Sequence, residues 1–502
     1  MERKNLYYKS TRGDKKRVLS AEAIIKGIAD DGGLFVSETI PQINKDLYKV
    51  KSTEYKELAF LIMKKFFTDY HQDELKDCIN KAYDNKFNTE IIAPLSKKMG
   101  AYFLELYHGP TLAFKDMALS ILPHLLKKAA RKLNLSQEIV ILTATSGDTG
   151  KAALQGFANV EGTKIIVFFP YKGVSKIQKR QMLTQEGANT YVIGIKGNFD
   201  DAQRGVKEIF EDLVFNKKIE EKNYIFSSAN SINIGRLIPQ IVYYFYAYLN
   251  MLDEREIKNG EKINIVVPTG NFGDILAAYY AKEMGLLVNK LICASNENKV
   301  LVDFFKTGVY DKRRKLIMTI SPSMDILVSS NLERLLWTIS ERDAQQVKRL
   351  INSLREKGFY RINSEMKTKL KDFYGGFAPQ EESRRCIKEI FEKSKYLIDP
   401  HTAVAYAVYK KYIKETGDKT KTIIVATASP FKFTKSVMES IDSRYEKSDD
   451  FELIEKMSDL AQIPVPSGIR DIEKMPIRHK MVSEKEEMRA KIAEILIYGK
   501  EN

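Results

Sequence analysis

One lysine of this chain stands in a setting that suits amine chemistry. Lys115 lies in the segment HGPTLAFKD at residues 108–116, where a turn and a short apolar run bring its amine to a polar junction. Partial burial beside Ala113 and Phe114 disfavours the charged form of an amine, as Schiff-base chemistry with a carbonyl requires. The chain has 81 Lys and Arg residues, and most such residues are solvated surface charge, so this segment alone does not identify a catalytic amine.

A glycine-rich loop follows further along the chain. The loop TATSGDTG at residues 143–150 lies between an apolar run at residues 139–142 and a helix-like segment that begins at Lys151. The first N–H groups of a helix are free of intrahelical partners and favour an anion. The pattern predicts a binding site for a carboxylate or a phosphate, although an ordinary turn has a similar composition.

A second loop repeats this organisation of strand, loop and helix. The segment PTGNFGD at residues 268–274 follows the strand-like residues 263–267 and precedes a helix-like segment. Gly270 and Gly273 permit close approach of the backbone to a phosphate, and Asp274 is predicted to be the N-cap of the following helix.

An amine for an aldehyde and a glycine loop for a phosphate together point to pyridoxal phosphate, because this cofactor carries both groups. An ATP site would need a glycine-rich loop that ends in Gly-Lys-Ser/Thr, which the chain lacks. A dinucleotide site would need G-x-G-x-x-G after a strand, which is also missing. The residues therefore predict a pyridoxal phosphate site.

Several segments, in order along the chain, resemble the signature blocks of the threonine synthase family. They are HGPTLAFKD, TATSGDTGKAA, SSANSINIGRL, PTGNFGD, SPSMDILVSSNLERLLW and DPHTAVAYA. The segments STRG at residues 10–13 and DDGGLF at residues 30–35 resemble the N-terminal domain of the same family. The match runs to about residue 440 and is more similar to the long bacterial and fungal class than to the shorter plant-like class. Such a set of linked motifs is far more specific than any one of them.

The resemblance implies a function. Threonine synthases use pyridoxal phosphate for a β,γ-replacement that converts O-phospho-L-homoserine and water to L-threonine and phosphate, the last step of threonine biosynthesis. By similarity, Lys115 forms the Schiff base with the cofactor and, once freed, moves protons at Cα and Cβ of the substrate. A phospho-lyase or dehydratase that releases 2-oxobutyrate is the alternative, which the motifs do not separate from the synthase. A non-catalytic binding protein is a third reading, against which Lys115 and both loops count.

The resemblance also implies two sets of site residues. The cofactor-binding set is Lys115, Asp148, Gly270, Asn271, Phe272, Gly273, Asp274 and Thr427. The substrate-binding set is Ser146, Thr149, Asn230, Ser231 and Arg236. Arg236 suits a phosphate because its planar guanidinium pairs bidentately with phosphate oxygens. Asp148 takes a position where related enzymes often have an asparagine near the phenolic oxygen of the cofactor, and an ionised carboxylate cannot donate a hydrogen bond there.

Thr427 ends the apolar run at residues 423–426, so its hydroxyl is predicted to emerge at the carboxyl end of a strand, where open α/β sheets bind ligands. The strand pattern alone favours a surface threonine that closes a buried strand, whereas by resemblance this hydroxyl meets the pyridine nitrogen of the cofactor. One departure follows, because the family usually shows HPAK where this chain has SPFK at residues 429–432. The change bears on substrate selection near the ring.

Three further polar residues of the signature segments are predicted to be structural. His108 and His401 have no metal-ligand spacing to another of the five histidines, so no metal site is predicted. Asp116 is predicted to cap the helix that begins at residue 117.

Apolar runs that alternate with helical segments predict an α/β fold with open, mostly parallel sheets. The runs lie at residues 139–142, 164–169, 191–195, 263–267 and 423–426. The resemblance places this pattern in fold type II of the pyridoxal-phosphate enzymes, tryptophan synthase β-like, with two lobes and an added N-terminal domain. Three units are predicted: an N-terminal domain at 1–95, a catalytic region at 96–450 and a C-terminal helical extension at 451–502. The catalytic region contains a smaller lobe at about 139–225 and a helical insertion at about 296–395. Helical spacing at residues 55–63 supports the N-terminal domain, and charged residues 484–491 predict a solvent-facing helix in the C-terminal extension.

Composition excludes several classes of protein. Cys78, Cys293 and Cys386 are far apart and lack CxxC spacing, which argues against a disulfide framework and fits a reducing cytoplasm. Residues 237–252, the most apolar long stretch, fall short of the roughly 20 needed to span a bilayer and predict a buried aromatic helix instead. The beginning MERK has no apolar signal region. The net charge is +15, but the lysines are scattered among glutamates and do not form a single basic block with interleaved aromatic residues. Nucleic acid is therefore not a predicted partner. A cytoplasmic monomer or homodimer acting on a small molecule is expected.

Overall fold

The computed structural model describes residues 5–43 and 54–499. Its strands are β1 (Tyr8–Ser10), β2 (Phe35–Ser37), β3 (Leu95–Lys98), β4 (Ala101–Glu105), β5 (Glu138–Ala144), β6 (Thr163–Pro170), β7 (Thr190–Lys196), β8 (Tyr224–Ser228), β9 (Ile263–Pro268), β10 (Val288–Ser295), β11 (Val309–Asp311), β12 (Phe359–Arg361), β13 (Phe373–Phe377), β14 (Thr422–Ala426) and β15 (Met481–Glu484). Its first helices are α1 (Ser20–Lys26), α2 (Tyr55–Phe66), α3 (Gln72–Ala82), α4 (Asp116–Leu119), α5 (Leu122–Lys132), α6 (Asp148–Phe157), α7 (Lys176–Leu183), α8 (Phe199–Glu211), α9 (Leu213–Glu220) and α10 (Ile234–Asp253). The later helices are α11 (Gly273–Glu283), α12 (Val300–Thr307), α13 (Leu332–Ile339), α14 (Ala344–Lys357), α15 (Ser364–Thr368), α16 (Gln380–Ser394), α17 (Pro400–Thr416), α18 (Thr434–Ile441), α19 (Glu452–Ala461) and α20 (Met488–Leu496).

The smaller lobe is built on a five-stranded sheet with the order β15-β7-β6-β5-β8, in which every pair is parallel. Its central strands are continuous apolar runs, because a parallel sheet with helices on both faces is buried on both faces. Residues 139–142, 164–169 and 191–195 lie in β5, β6 and β7, so these predicted strands are confirmed.

The larger lobe contains a six-stranded sheet with the order β13-β10-β9-β14-β4-β3. Only the edge strand β3 runs antiparallel to its neighbour. The predicted runs at residues 263–267 and 423–426 form β9 and β14, which are adjacent in this sheet. The prediction of an α/β fold with two open, mostly parallel sheets is confirmed.

Helix α10 is buried along most of its length and belongs to an apolar cluster that also includes residues of α2 and α11. It contains residues 237–252, and the predicted buried aromatic helix is confirmed. Of the helices formed by residues 5–43 and 54–499, none combines the length and apolar character needed to cross a membrane.

The N-terminal segment shares its core with the catalytic region. The predicted helix at residues 55–63 lies within α2, and Tyr55 of α2 meets Tyr246 of α10 edge to face, with ring centroids 5.1 Å apart. Leu58 and Phe66 belong to the same buried apolar cluster as α10. Because aromatic rings at such distances contribute beyond the area that they bury, this contact helps to hold the segment on the catalytic region.

Two predictions of local structure need correction. The segment at 296–395 is not purely helical, since β13 lies within it and pairs in parallel with β10 at the edge of the larger sheet. Residues 484–491 are not a solvent-facing helix, because Glu484 ends β15 and the helix α20 begins only at Met488. Apolar residues of α20 are buried against the smaller lobe and include Met488, Ile492, Ile495 and Leu496. Their spacing is that of an amphipathic helix whose apolar face continues beyond the charged residues.

Candidate active site

A cleft opens where the carboxyl ends of strands from both sheets come together. In the smaller lobe it lies beyond β5 and the neighbouring β8, and in the larger lobe beyond β9 and the neighbouring β14. Ligands of open α/β sheets bind at this position, where adjacent strands send the chain in different directions. All thirteen predicted site residues line the cleft, namely Lys115, Ser146, Asp148, Thr149, Asn230, Ser231, Arg236, Gly270, Asn271, Phe272, Gly273, Asp274 and Thr427.

Lys115 is held by backbone contacts to the end of β14. The N–H of Phe114 donates to the carbonyl oxygen of Thr427 over 2.8 Å, and Ala113 forms a bridge with Ala428. The Nζ of Lys115 lies 4.5 Å from the ring centroid of Phe114 and 3.5 Å from Oδ2 of Asp148. Burial lowers the pKa of Lys115, and the Asp148 carboxylate partly opposes this effect. The amine is therefore desolvated in the way that its segment predicted.

Asp148 is the first residue of α6 and is buried with its charge. Its Oδ1 accepts a hydrogen bond from Nε2 of Gln178 over 2.7 Å and lies 3.0 Å from Nζ of Lys432. Burial alone would raise the pKa of Asp148, but the ammonium groups of Lys432 and Lys115 hold it well below the usual range. Asp148 is thus an ionised acceptor, and Lys432 is a neighbour that the sequence did not single out.

The loop at residues 268–274 leads from β9 into α11. Phe272 adopts a left-handed backbone conformation with φ of 65° and is the N-cap of the helix. A Cβ at Gly270 would overlap the carbonyl oxygen of Ser323, which accounts for glycine at this position. The first N–H groups of α11 have no intrahelical acceptor and border the cleft, so they can hold a phosphate.

Asp274 is not the N-cap of α11, and this prediction is wrong. It lies in the first turn, where its carboxylate accepts hydrogen bonds from the hydroxyls of Tyr243 and Tyr244 on α10, the second over 2.6 Å. Burial raises the pKa of Asp274 to about 6, although the two hydroxyls favour the ionised form. The tyrosines thus anchor the phosphate-loop helix to α10.

Arg236, on α10, provides a buried cation in the wall of the cleft. Its Nη1 donates to the carbonyl oxygen of Ala229 over 2.9 Å, and its Nε has no hydrogen-bond partner within residues 5–43 and 54–499. Burial lowers the pKa of Arg236 to about 10, so the guanidinium stays charged at neutral pH. Nearby Ser231 accepts from Nδ2 of Asn331 over 3.0 Å. The arrangement leaves donors available for an anion.

Both histidines of the signature segments have the hydrogen bonds expected of structural residues. Nε2 of His108 lies 2.8 Å from Glu105. His401 also borders the cleft, with Nδ1 2.5 Å from Oδ2 of Asp399 and Nε2 accepting from the N–H of Ser323 over 3.2 Å. This acceptor role requires an unprotonated Nε2, with the ring proton on Nδ1.

Asp116 does not cap α4, which begins at Asp116 itself, with Lys115 in the N-cap position. Its carboxylate instead accepts from the N–H and the hydroxyl of Thr111, over 2.8 and 2.6 Å. A Cβ at Gly109 would overlap this carboxylate, so Gly109 and Asp116 together shape the turn that delivers Lys115.

Some lining residues were not predicted as site residues. They are Phe114, Ala144, Thr145, Phe199, Gln240, Pro268, Thr269, Ser323, Met324, Ile326 and His401. Ser323, Met324 and Ile326 belong to the segment SPSMDILVSS, which contributed to the family resemblance without an assigned role. Phe199 is the first residue of α8, directly after the N-cap Asn198. Its local sequence gave no indication of a binding site.

Comparison with protein families covers almost the whole chain. Residues 7–83 match the model described as Threonine synthase N terminus, and residues 85–428 match Pyridoxal-phosphate dependent enzyme. Residues 402–490 match Threonine synthase, C-terminal.

Individual relatives agree with these matches. Threonine synthase of Schizosaccharomyces pombe is 37% identical over 467 residues, which cover 87% of this chain and 89% of that protein. Threonine synthase-like 1 of Macaca fascicularis is 40% identical over 435 residues, which cover 84% of this chain but 58% of that protein. The chain thus spans less than two thirds of the length of this second relative.

Solved structures give the same result. The crystal structure of PLP-bound threonine synthase from Brucella melitensis superposes with a TM-score of 0.85 at 32% identity and covers 98% of both chains. Threonine synthase from yeast also gives a TM-score of 0.85 at 32% identity, with 98% of this chain and 99% of that chain covered. Together with the family matches and the geometry of the cleft, these likenesses show that the chain belongs to the threonine synthase family of pyridoxal-phosphate dependent enzymes.

Proposed function

We propose that this protein converts O-phospho-L-homoserine and water to L-threonine and phosphate. The observation that carries the proposal is the meeting, in one cleft, of the desolvated Lys115 amine, the phosphate-type loop at residues 268–274 and the buried guanidinium of Arg236. Two separate anion sites and one amine are what a phosphorylated cofactor and a phosphorylated amino acid require.

The residues of the cleft fit pyridoxal phosphate. The Lys115 amine suits its aldehyde, the first N–H groups of α11 suit its phosphate, and the hydroxyl of Thr427 suits its ring nitrogen. Asn271, with a buried Oδ1 that lacks a hydrogen-bond partner among the described residues, borders the same loop. When bound, the cofactor supplies an electron sink for the carbanions of the reaction.

The remaining residues are assigned to the substrate. Ser146 and Thr149, beside the first turn of α6, would bind its carboxylate, since hydroxyls and free N–H groups at a helix start favour an anion. Asn230, Ser231 and Arg236 would bind its phosphate and retain it as it leaves. Lys115 would carry protons at Cα and Cβ, because burial lowers the pKa of its amine and so makes the free base easier to form.

The proposal includes a location in a reducing, cytoplasmic compartment and a monomeric or homodimeric state. Cys78, Cys293 and Cys386 are buried free thiols, which a reducing environment preserves. Light scattering after size-exclusion chromatography measures the assembly.

The proposed function is tested by the products that the purified, cofactor-loaded protein forms from O-phospho-L-homoserine. Equal amounts of threonine and phosphate are expected, with L-homoserine, which lacks the phosphate, giving no product. Phosphate with 2-oxobutyrate in place of threonine would identify a lyase instead. No product would refute both enzymatic readings for this substrate.

Replacement of Arg236 by methionine is expected to lower kcat/KM for O-phospho-L-homoserine by about 100-fold. Hydrogen bonds to charged groups contribute about 1.5–3 kcal/mol, and about 1.4 kcal/mol corresponds to a tenfold change. Inhibition by inorganic phosphate should weaken in parallel, while cofactor binding at the α11 loop stays intact. The control is Arg131→Met, on the exposed side of α5. Unchanged phosphate inhibition in Arg236→Met would remove Arg236 from the substrate phosphate site.

A further inference from the structure

The segment SPFK at residues 429–432 differs from the family pattern HPAK at Ser429 and Phe431 but keeps the final lysine, Lys432, which is completely buried. Lys432 has no exposed side-chain surface, whereas lysines are almost never fully buried unless they are paired. Its Nζ donates to the carbonyl oxygen of Thr111 over 2.6 Å and lies 3.0 Å from Oδ1 of Asp148. A second amine is thus fixed next to the carboxylate that faces Lys115.

Both ends of Lys432 are fixed. Its carbonyl oxygen accepts a hydrogen bond from the hydroxyl of Ser175 over 3.0 Å, at the start of α7. The hydroxyl of Ser429 caps the short 3-10 helix Pro430–Phe433, and the N–H of Ser429 donates to the carbonyl oxygen of Leu112 over 3.0 Å. The serine and the lysine of SPFK therefore both contact the turn that delivers Lys115.

The two carboxylate oxygens of Asp148 face different lysines, Oδ1 facing Lys432 and Oδ2 facing Lys115. Oδ1 accepts from Gln178 and pairs with Lys432 at 3.0 Å, whereas Oδ2 lies 3.5 Å from Nζ of Lys115. The closer ion pair is thus the one with Lys432, which leaves Lys115 the longer contact. A nearby carboxylate favours the ammonium form of a lysine. The longer contact between Asp148 and Lys115 therefore favours the neutral amine, which is the form that reacts.

We propose that Lys432 is a positioning residue that holds the Asp148 carboxylate away from Lys115 and so keeps the Lys115 amine available for reaction. The inference rests on the proposed function in taking Lys115 as the reactive amine. Without Lys432, the carboxylate would turn to Lys115 and stabilise its ammonium form.

Several charged or titratable groups face this pair from the elements packed around it. They are Lys115 and Asp116 at the start of α4, Asp148 and Lys151 on α6, Arg236 on α10, Asp274 on α11, His401 on α17, and Lys432 itself. Among them Lys432 has the closest ion-pair contact with Asp148. Its removal therefore alters the environment of Lys115 through one identified carboxylate.

The test measures the Lys115 amine itself in the full-length chain from which cofactor has been removed. Trace acetylation with acetic anhydride across a range of pH, quantified by mass spectrometry of the peptide that contains Lys115, gives its pKa without any turnover. Exposed Lys222 serves as the internal reference. Because no substrate is used, failure to form threonine would leave this result untouched.

Lys432→Met is expected to raise the pKa of Lys115 and to slow its acetylation about tenfold at a pH below that pKa, since one pKa unit changes the fraction of free amine tenfold. Lys432→Arg, which retains the cation, should react like the wild type. Lys432→Gln can still donate to Thr111 and provides a second neutral variant if Lys432→Met fails to fold. An unchanged or faster acetylation of Lys115 in either folded neutral variant would overturn the proposal.

A double-variant cycle separates positioning through Asp148 from direct repulsion between the two lysines. In an Asp148→Asn background, Lys432→Met should slow acetylation of Lys115 much less than it does beside the native carboxylate. An equal effect in both backgrounds would show that Lys432 acts on Lys115 by charge alone, and the positioning role would be refuted.

Discussion

Lys115→Ala is expected to lower the rate of threonine formation by about 1,000-fold or more. General acid–base catalysis alone typically contributes about 10²–10⁴-fold, and the variant loses the group that we assign to several proton transfers. The amine is buried in the wall of the cleft, 4.5 Å from the Phe114 ring centroid, and a solvent amine does not replace it easily there. Steady-state kinetics with O-phospho-L-homoserine provide the measurement.

Covalent attachment of the cofactor gives a second result for the same variant. After borohydride reduction, mass spectrometry should find the cofactor on the peptide that contains Lys115 in the wild type and on no peptide in Lys115→Ala. Lys222→Ala, at an exposed position, is the matched control and should behave like the wild type. Attachment to another lysine, or full activity without Lys115, would contradict the assignment.

The location of the site could be predicted because each predicted segment stands at a strand end or a helix start. Residues 143–150 and 268–274 follow β5 and β9, and Thr427 follows β14. Parallel strands bring their carboxyl ends to one edge, so motifs that are far apart in sequence meet there. The family resemblance supplied the thirteen residues, and this rule explains why they line one cleft.

The partners chosen by buried carboxylates could not be predicted in the same way. Asp116 and Asp274 both stand where a local rule predicts a helix cap, but Asp116 accepts from Thr111 and Asp274 from the tyrosines of α10. A buried carboxylate takes the donors that the tertiary structure brings to it, and these outcompete the exposed N–H groups of a helix start. Lys432 was noted only as the last residue of SPFK and received no role, because only the fold brings it to Asp148.

The C-terminal region shows a second limit. β15 is a short edge strand of the smaller sheet that pairs with β7, and its four residues have little local signal. Its stability comes from the ladder with β7 and from the buried face of α20, which are contacts between distant parts of the chain. Strand propensity reflects such packing more than an intrinsic preference of the backbone.

Arg334, near the start of α13, links the N-terminal segment to the wall of the cleft by hydrogen bonds. Its side chain is fully buried and donates to the carbonyl oxygens of Phe35 over 3.0 Å and Ile232 over 2.5 Å, and to the amide oxygen of Asn331. Asn331 in turn donates to Ser231 in the cleft over 3.0 Å. One guanidinium thus joins the N-terminal segment, the start of α10 and a residue assigned to substrate binding.

Glu333 strengthens the same attachment from the other side. It accepts a bidentate pair of hydrogen bonds from Arg12, over 2.9 and 2.8 Å, and a third from the hydroxyl of Thr11. Bidentate arginine–carboxylate pairs fix geometry as well as contributing energy. Arg334 and Glu333 together define how the N-terminal segment meets the wall of the cleft.

Arg334→Met is expected to lower the free energy of unfolding by about 3 kcal/mol. Three buried acceptors lose their donor, and each unsatisfied group costs about 1–3 kcal/mol. Removal of a buried charge partly offsets this cost. The released Asn331 should also let Ser231 shift and reduce kcat/KM by about tenfold. Urea unfolding and steady-state kinetics measure the two effects, with Arg361→Met, at an exposed position of β12, as the control. If Arg334→Met unfolded at the same urea concentration as the wild type, water would have replaced the guanidinium. The attachment of the N-terminal segment would then depend on Glu333 and the shared apolar core.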